Sequence, residues 1–142
     1  MFGKAGGKLV MSQGNLTGRK VLVVEDDYLQ AKTFAQALVE HGAEVVGPFS
    51  APEECFCYCN RDLIDAAVLD VKVRNTDSFA VADRLVREEI PFIFLTGYDR
   101  NSIPHRFHRV PHYLKSFVGT DGPAAVALAL ASVQKPSRPS GR

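Results

Sequence analysis

Six residues of types that could handle a phosphoryl group follow or end short apolar runs of the sequence. They are Glu25, Asp26, Asp27, Asp70, Thr96 and Lys115. Clustered carboxylates repel one another unless a cation lies among them, and a hard ion such as Mg²⁺ suits one or two carboxylates together with a phosphate oxygen. Threonine and lysine can bind phosphate oxygens, and an aspartate can attack phosphorus as a nucleophile. The residues therefore predict a site for an aspartyl phosphate.

Alternating strands and helices are predicted to position these residues. Strands are expected at 20–25, 44–49, 66–71, 92–96 and 112–115, and helices at 28–41, 51–60, 78–89 and 122–133. The strands are continuously apolar, which is typical of a parallel sheet covered by helices on both faces. Right-handed crossovers then give an open α/β sandwich. Functional residues of such a sheet collect at the carboxyl ends of its strands.

The segment at 98–110 fits this pattern least well. A fourth helix is expected there, but Pro104 interrupts it and the apolar spacing is poor. We therefore expect a short, mobile or partly ordered element.

The sequence also predicts the domain boundaries. Residues 1–19 are predicted to be a flexible leader, 20–134 the folded domain, and 135–142 a disordered basic tail, because both flanks lack apolar periodicity.

Composition excludes several classes of protein. The chain has 142 residues, 46% of them hydrophobic, which predicts one domain with a buried core. All sixteen acidic residues lie within 21–134 with only ten of the seventeen basic residues, and this acidic body argues against nucleic-acid binding. No apolar stretch reaches the roughly 18–20 residues of a membrane helix, and no secretory signal is found. We therefore expect a cytoplasmic protein with neither membrane nor nucleic acid as partner.

Four motifs, in this order, resemble the receiver domain of bacterial two-component response regulators. They are VLVVEDD at 21–27, AAVLDV at 66–71, FLTG at 94–97 and Lys115. The resemblance covers about residues 20–134 and implies a flavodoxin-like α/β fold, with a five-stranded parallel sheet of order 2-1-3-4-5. IPFIFLTGYD at 90–99 is also similar to the signature of a single-domain proteobacterial subfamily nicknamed FATGUY, although Leu95 replaces a small residue. Members of that subfamily have a poorly formed fourth helix.

The resemblance also implies a chemistry and a set of partners. Asp70 would be the phosphoacceptor, and Lys115 would pair with a phosphoryl oxygen. Thr96 would form a hydrogen bond to the phosphoryl group and act as a switch residue on phosphorylation. The implied Mg²⁺ ligands are Glu25, Asp26, Asp70 and the backbone carbonyl of Lys72. A sensor histidine kinase or a histidine phosphotransfer protein would donate the phosphoryl group, and an unknown downstream protein would receive the signal. No catalysis is expected beyond self-phosphorylation and autodephosphorylation.

The sequence departs from the family pattern in the region of the fifth strand. Ser116 follows Lys115 where the family usually has a proline in a cis bond, so the following loop is expected to differ. His112 occupies the position of the aromatic switch residue, with Tyr113 beside it, and Tyr98 is another candidate for that role. About 27 residues follow Lys115, which leaves room for one helix and a tail. We therefore expect a single-domain regulator without a DNA-binding or enzymatic output domain.

Two other functions remain open at this point. The first is a degenerate receiver that acts as a phosphorylation-independent interaction module. The second is a Mg²⁺-dependent phosphatase of the haloacid-dehalogenase type, but that chemistry needs a second aspartate two residues after the nucleophile, where Lys72 stands.

Two residue groups are predicted to be structural. Asp27 is expected to cap the first helix rather than to bind metal. Cys55 and Cys59 are expected to share a buried helix face, with Cys57 pointing away from it.

Overall fold

The computed structural model describes residues 16–97, 103–115 and 130 of the chain. The strands of this part are β1 (Lys20–Val24), β2 (Glu44–Phe49), β3 (Ala66–Asp70), β4 (Lys72–Val73), β5 (Thr76–Asp77), β6 (Phe92–Thr96) and β7 (His112–Leu114). Its helices are α1 (Tyr28–Glu40), α2 (Pro52–Cys55) and α3 (Phe79–Arg87), with 3₁₀ helices at Phe56–Tyr58 and His105–Phe107.

Five strands form a parallel sheet of order β2-β1-β3-β6-β7. Counted among themselves along the chain, these strands have the order 2-1-3-4-5, so the predicted flavodoxin-like fold is confirmed. Every residue of β3 and β6 is buried, because helices cover both faces of the sheet and successive side chains point to opposite faces. Leu69 and Phe94 pack in the core on one face, and Val68 and Leu95 pack in the core on the other.

The parallel arrangement brings the carboxyl ends of four strands to one edge. Asp70 and Thr96 are the last residues of β3 and β6. Glu25 directly follows β1, and Lys115 directly follows β7. The positions that the sequence analysis assigned to these residues relative to their strands are confirmed.

The first two helices differ in how well the sequence predicted them. Asp27 is the N-cap of α1, and its side chain accepts a hydrogen bond from the Gln30 amide, as predicted. The predicted helix at 51–60 is wrong in extent, because α2 ends at Cys55 and a 3₁₀ turn follows. Aromatic residues and cysteine have low helix propensity, which explains why the α-helix does not continue through this segment. No described helix combines the length and apolarity needed to cross a membrane.

The three cysteines have the predicted pattern of burial. Cys55 and Cys59 are fully buried in the core, and Cys57 is exposed.

The folded part begins earlier than predicted. Leu16 is fully buried in the core, and its amide donates to the carbonyl of His41 at 3.0 Å. The prediction of a flexible leader is therefore wrong for residues 16–19, because an apolar side chain and backbone hydrogen bonds hold this turn against the end of α1. Residues 1–15 and 135–142 lie outside the described residues. Of the predicted last helix at 122–133, the structure describes Leu130, which is helical and fully buried.

The segment before β7 contains a short element, as expected. Its 3₁₀ helix places Phe107 in the core, where its ring packs against those of Phe79, Phe92 and Phe94. Arg106 forms a two-pronged ion pair with Asp83 of α3, at 2.9 and 3.0 Å. These contacts fix residues 103–110 against α3 and β6, while residues 98–102 lie outside the described part of the chain.

A small antiparallel hairpin follows β3, and the sequence analysis did not predict it. Lys72 pairs with Asp77, and Val73 pairs with Thr76. Arg74 and Asn75 form the tip with φ values of 54° and 63°. Two successive residues with positive φ are typical of a tight two-residue hairpin turn.

Candidate functional site

Three of the predicted acidic residues form a cluster at the carboxyl edge of the sheet. One carboxylate oxygen from each of Glu25, Asp26 and Asp70 lies within 4.8 Å of the others. Glu25 and Asp70 are each only 2% exposed, and Asp26 is exposed. The cluster therefore has one open side, from which a ligand could approach.

Lys115 is the cation of this cluster. Its Nζ donates to Asp70 Oδ2 at 2.7 Å and to Glu25 Oε2 at 3.3 Å. Its own amide donates to the carbonyl of Thr96 at 2.8 Å, which extends the β6–β7 pairing to the residue after β7. The backbone thus places the lysine where its side chain reaches both buried carboxylates.

Backbone amides orient the three carboxylates. The amide of Asp27 donates to Glu25 Oε2 at 3.0 Å, and the amide of Lys72 donates to Asp70 Oδ1 at 3.3 Å. The amide of Arg74 donates to Asp26 Oδ2 at 2.9 Å. Each carboxylate is therefore held by a main-chain donor through one oxygen.

Two buried oxygen atoms at the site have no hydrogen-bond partner among the described residues. They are Glu25 Oε1 and Thr96 Oγ1. A buried polar atom without a partner costs about 1–3 kcal/mol. An all-oxygen cluster with an unpartnered carboxylate oxygen fits a hard divalent cation such as Mg²⁺, and the Thr96 hydroxyl could donate to an anion bound beside Asp70.

Burial and mutual contacts raise the pKa values of Glu25, Asp70 and Lys115. Desolvation and the nearby charge of Asp70 raise the pKa of Glu25 from 4.5 to about 7. Desolvation also raises the pKa of Asp70, although the hydrogen bond from Lys115 acts against this shift. For Lys115, desolvation acts to lower the pKa, but the hydrogen bonds and charges of Asp70 and Glu25 outweigh it and raise the pKa.

We expect the protein to lose stability as the pH rises from about 5 to 8 in the presence of EDTA. Glu25 has a higher pKa folded than unfolded, so between about 4.5 and 7 the folded state holds a proton that the unfolded state has released. The free energy of unfolding then falls with pH, by about 2–3 kcal/mol between pH 5 and pH 8. Urea unfolding at pH 5 and pH 8 measures this difference.

Glu25→Gln is the control for this pH dependence, because a glutamine at this position does not titrate. Its stability should change much less than that of the wild type between the two pH values. An equally steep loss in Glu25→Gln would contradict the assignment to Glu25.

The structure adds two residues, Arg74 and Ser50, to the site that the sequence analysis did not single out. Arg74 reaches Asp26 with its amide, and its guanidinium donates to Ser50 Oγ at 3.1 Å. Asn75 is a residue type that tolerates the left-handed backbone of a hairpin turn, and it is the local signal in the sequence that could have indicated this hairpin.

The roles assigned to Thr96 and to the Lys72 carbonyl stay predictions. The aromatic-switch role of His112, Tyr113 or Tyr98 also stays a prediction, and Tyr98 lies outside the described residues.

Comparison with known proteins gives the family of this fold and site. The family model described as the response regulator receiver domain matches residues 21–110. The transcriptional regulatory protein PdtaR of Mycobacterium tuberculosis is 27% identical over 116 residues, which cover 79% of this chain and 57% of PdtaR. The chain thus spans little more than half the length of this curated relative.

Solved structures agree with the family match. SdrG from Sphingomonas melonis Fr1 is 34% identical with a TM-score of 0.66, over 81% of this chain and 98% of SdrG. The BeF₃-activated conformation of SdrG from Pseudomonas melonis Fr1 is 33% identical with a TM-score of 0.60, over 84% of this chain and 99% of that one. The narrower likeness to the FATGUY subfamily stays a prediction. The family model covers more than half of the chain, and the chain belongs to the response regulator receiver domain family.

Proposed function

We propose that Asp70 accepts a phosphoryl group from a phosphohistidine and that the resulting conformational change is passed to a downstream protein. The donor would be a sensor histidine kinase or a histidine phosphotransfer protein. The observation that carries the proposal is the 2.7 Å contact between Lys115 Nζ and Asp70 Oδ2 inside the acidic cluster. A buried carboxylate beside a fixed ammonium group is suited to receive a transferred anion, because the cation remains to neutralise the charge that arrives.

Mg²⁺ is the proposed cofactor. The residues that would hold it are Glu25, Asp26, Asp70 and the backbone carbonyl of Lys72. When bound, Mg²⁺ supplies positive charge against the phosphoryl oxygens. The unpartnered Glu25 Oε1 and the three converging carboxylates support this assignment.

Asp70 acts as the nucleophile in the proposed transfer. Its carboxylate oxygen forms a bond to phosphorus, the bond from phosphorus to the histidine nitrogen breaks, and the imidazole leaves with the electron pair of that bond. Lys115 pairs with a phosphoryl oxygen as charge develops, and the Thr96 hydroxyl donates to another. Catalysis is limited to this self-phosphorylation and to autodephosphorylation.

Phosphorylation would change the contacts of the residues around Asp70. The phosphoryl group adds negative charge and strong hydrogen-bond acceptors, so the buried Thr96 hydroxyl gains a partner. Movement of Thr96 and Lys115 toward the new group would shift the hairpin at 72–77 and the segment at 103–110. Such a change is a population shift driven by contacts that differ between the two states.

The experiment that tests this function is mass spectrometry of the protein after incubation with Mg²⁺ and acetyl phosphate or phosphoramidate. We expect a mass gain of one phosphoryl group, and we expect EDTA to prevent it. The BeF₃-activated conformation of the similar SdrG supports the choice of a phosphoryl-accepting site. Absence of a mass gain with either donor, together with no Mg²⁺ binding, would instead favour a degenerate receiver that acts as an interaction module.

A further inference from the structure

The β4–β5 hairpin connects three loops at the acidic edge. Its tip residue, Arg74, donates its amide to Asp26 and its guanidinium to Ser50. Because β1 lies between β2 and β3 in the sheet, a hairpin that starts after β3 must pass the end of β1 to reach Ser50, which follows β2. Asp26 lies at that end of β1, so the hairpin crosses the site beside this carboxylate.

The base of the hairpin is firmly held. The side chain of Val73 is fully buried. Ser78, which follows the hairpin, donates its hydroxyl to the Asp70 carbonyl at 2.8 Å and its amide to the Val71 carbonyl at 3.0 Å. The tip is more exposed, so its position depends on the hydrogen bonds that Arg74 makes.

The backbone of Arg74 is held in an unfavourable conformation. Its φ of 54° lies in the left-handed region, which residues other than glycine, asparagine and aspartate rarely adopt. The β4–β5 pairing sets this turn conformation, and the hydrogen bonds to Asp26 and Ser50 then hold the amide and the guanidinium of Arg74.

We propose that Arg74 is a positioning residue for the cation site, held in place by Ser50. The Ser50 hydroxyl fixes the guanidinium, the fixed tip keeps the Arg74 amide on Asp26 Oδ2, and this hydrogen bond sets the orientation of the Asp26 carboxylate within the cluster. Hydrogen bonds to metal-ligating carboxylates commonly have this role. The inference deepens the proposed Mg²⁺ site and rests on it.

A positioning role of Arg74 and a simple effect of its charge predict different cation affinities for the variant Ser50→Ala. The guanidinium of Arg74 repels a cation, so if charge were its main influence, removing Arg74 would tighten cation binding. Ser50→Ala keeps that charge and removes only the anchor. A positioning role therefore predicts that Ser50→Ala binds the cation more weakly than the wild type. A pure charge effect predicts no change in affinity. Competition between the hairpin and the cation for Asp26 predicts tighter binding.

The test is calorimetric titration of the full chain with Mg²⁺ alone. We expect Ser50→Ala to bind Mg²⁺ on the order of threefold to tenfold more weakly, below the roughly 10–100-fold loss that follows removal of a direct partner of a ligand. Ser50→Thr keeps the hydroxyl, and Ser50 lines a cavity of about 420 Å³ with room for a methyl group, so this variant should bind as the wild type does. Thermal unfolding in EDTA should be similar for all three proteins.

Each outcome of the titration decides a different question. Mg²⁺ binding by Ser50→Ala that is equal to or tighter than that of the wild type overturns the positioning role and leaves the proposed function intact. A failure of Ser50→Thr to restore binding also overturns it. A wild-type protein that does not bind Mg²⁺ overturns this inference and the metal part of the proposed function together.

Discussion

Asp70→Asn is expected to abolish the mass gain of one phosphoryl group when the protein is incubated with Mg²⁺ and acetyl phosphate. Asparagine has nearly the same shape as aspartate, but its amide oxygen carries no negative charge and is a poor nucleophile. Asp70 is the carboxylate that contacts Lys115 at 2.7 Å and lies in the acidic cluster. Intact-protein mass spectrometry over a time course measures the loss, which should be complete within detection.

Asp27→Asn is the matched control for this substitution. It also removes one carboxylate from the loop after β1, but the Asp27 side chain caps α1 through the Gln30 amide. Asparagine is an equally good N-cap, so the helix should be preserved and the mass gain should remain. Retention of the mass gain by Asp70→Asn would contradict the choice of acceptor, and its loss in Asp27→Asn would show that the third acid is required.

Lys115→Met is expected to slow phosphorylation by about 10²-fold while tightening Mg²⁺ binding. Loss of one preorganised charge that stabilises a transition state typically costs about this factor. The same ammonium lies 2.7 Å from Asp70 and 3.3 Å from Glu25, where it neutralises the carboxylates that would bind a cation. Without it, the cluster is more negative and should attract Mg²⁺ more strongly.

The opposite signs of these two effects make the Lys115 prediction specific. Rates of phosphorylation by acetyl phosphate, measured at saturating Mg²⁺, separate the chemical role from metal affinity. Lys20→Met is a suitable control, because Lys20 is exposed at the amino end of β1, which is the edge of the sheet opposite the acidic cluster, and this change should affect both quantities little. A variant Lys115→Met that binds Mg²⁺ more weakly, or transfers at the wild-type rate, would contradict the assigned role.

The strands and their functional ends could be predicted from the sequence because both depend on local patterns. A continuous apolar run such as 66–69 favours a strand that is buried on both faces, and the polar residue that ends it then lies at the sheet edge. Both ends of β2 agree with the sequence prediction. The residue type and position of Asp27 also predicted correctly that it is the N-cap of α1.

Other elements could not be predicted because no local pattern specifies them. The burial of Leu16 depends on the end of α1 and on its packing against the sheet. The early end of α2 depends on the balance between weak helix propensity and the need to bury Cys55 and Cys59. The hairpin consists of two strands of two residues each, which is too short for a detectable alternation of side chains.

By itself, the sequence determined which residue types end the strands, and therefore that Glu25, Asp70, Thr96 and Lys115 share one edge. Only the tertiary structure decided how they interact there. The ammonium of Lys115 meets carboxylates that lie 45 and 90 positions away in the chain, and the pKa of Glu25 rises to about 7 because folding buries it beside Asp70. Distances, burial and the link from Arg74 to Asp26 and Ser50 arise from long-range packing, which no local pattern of residues encodes.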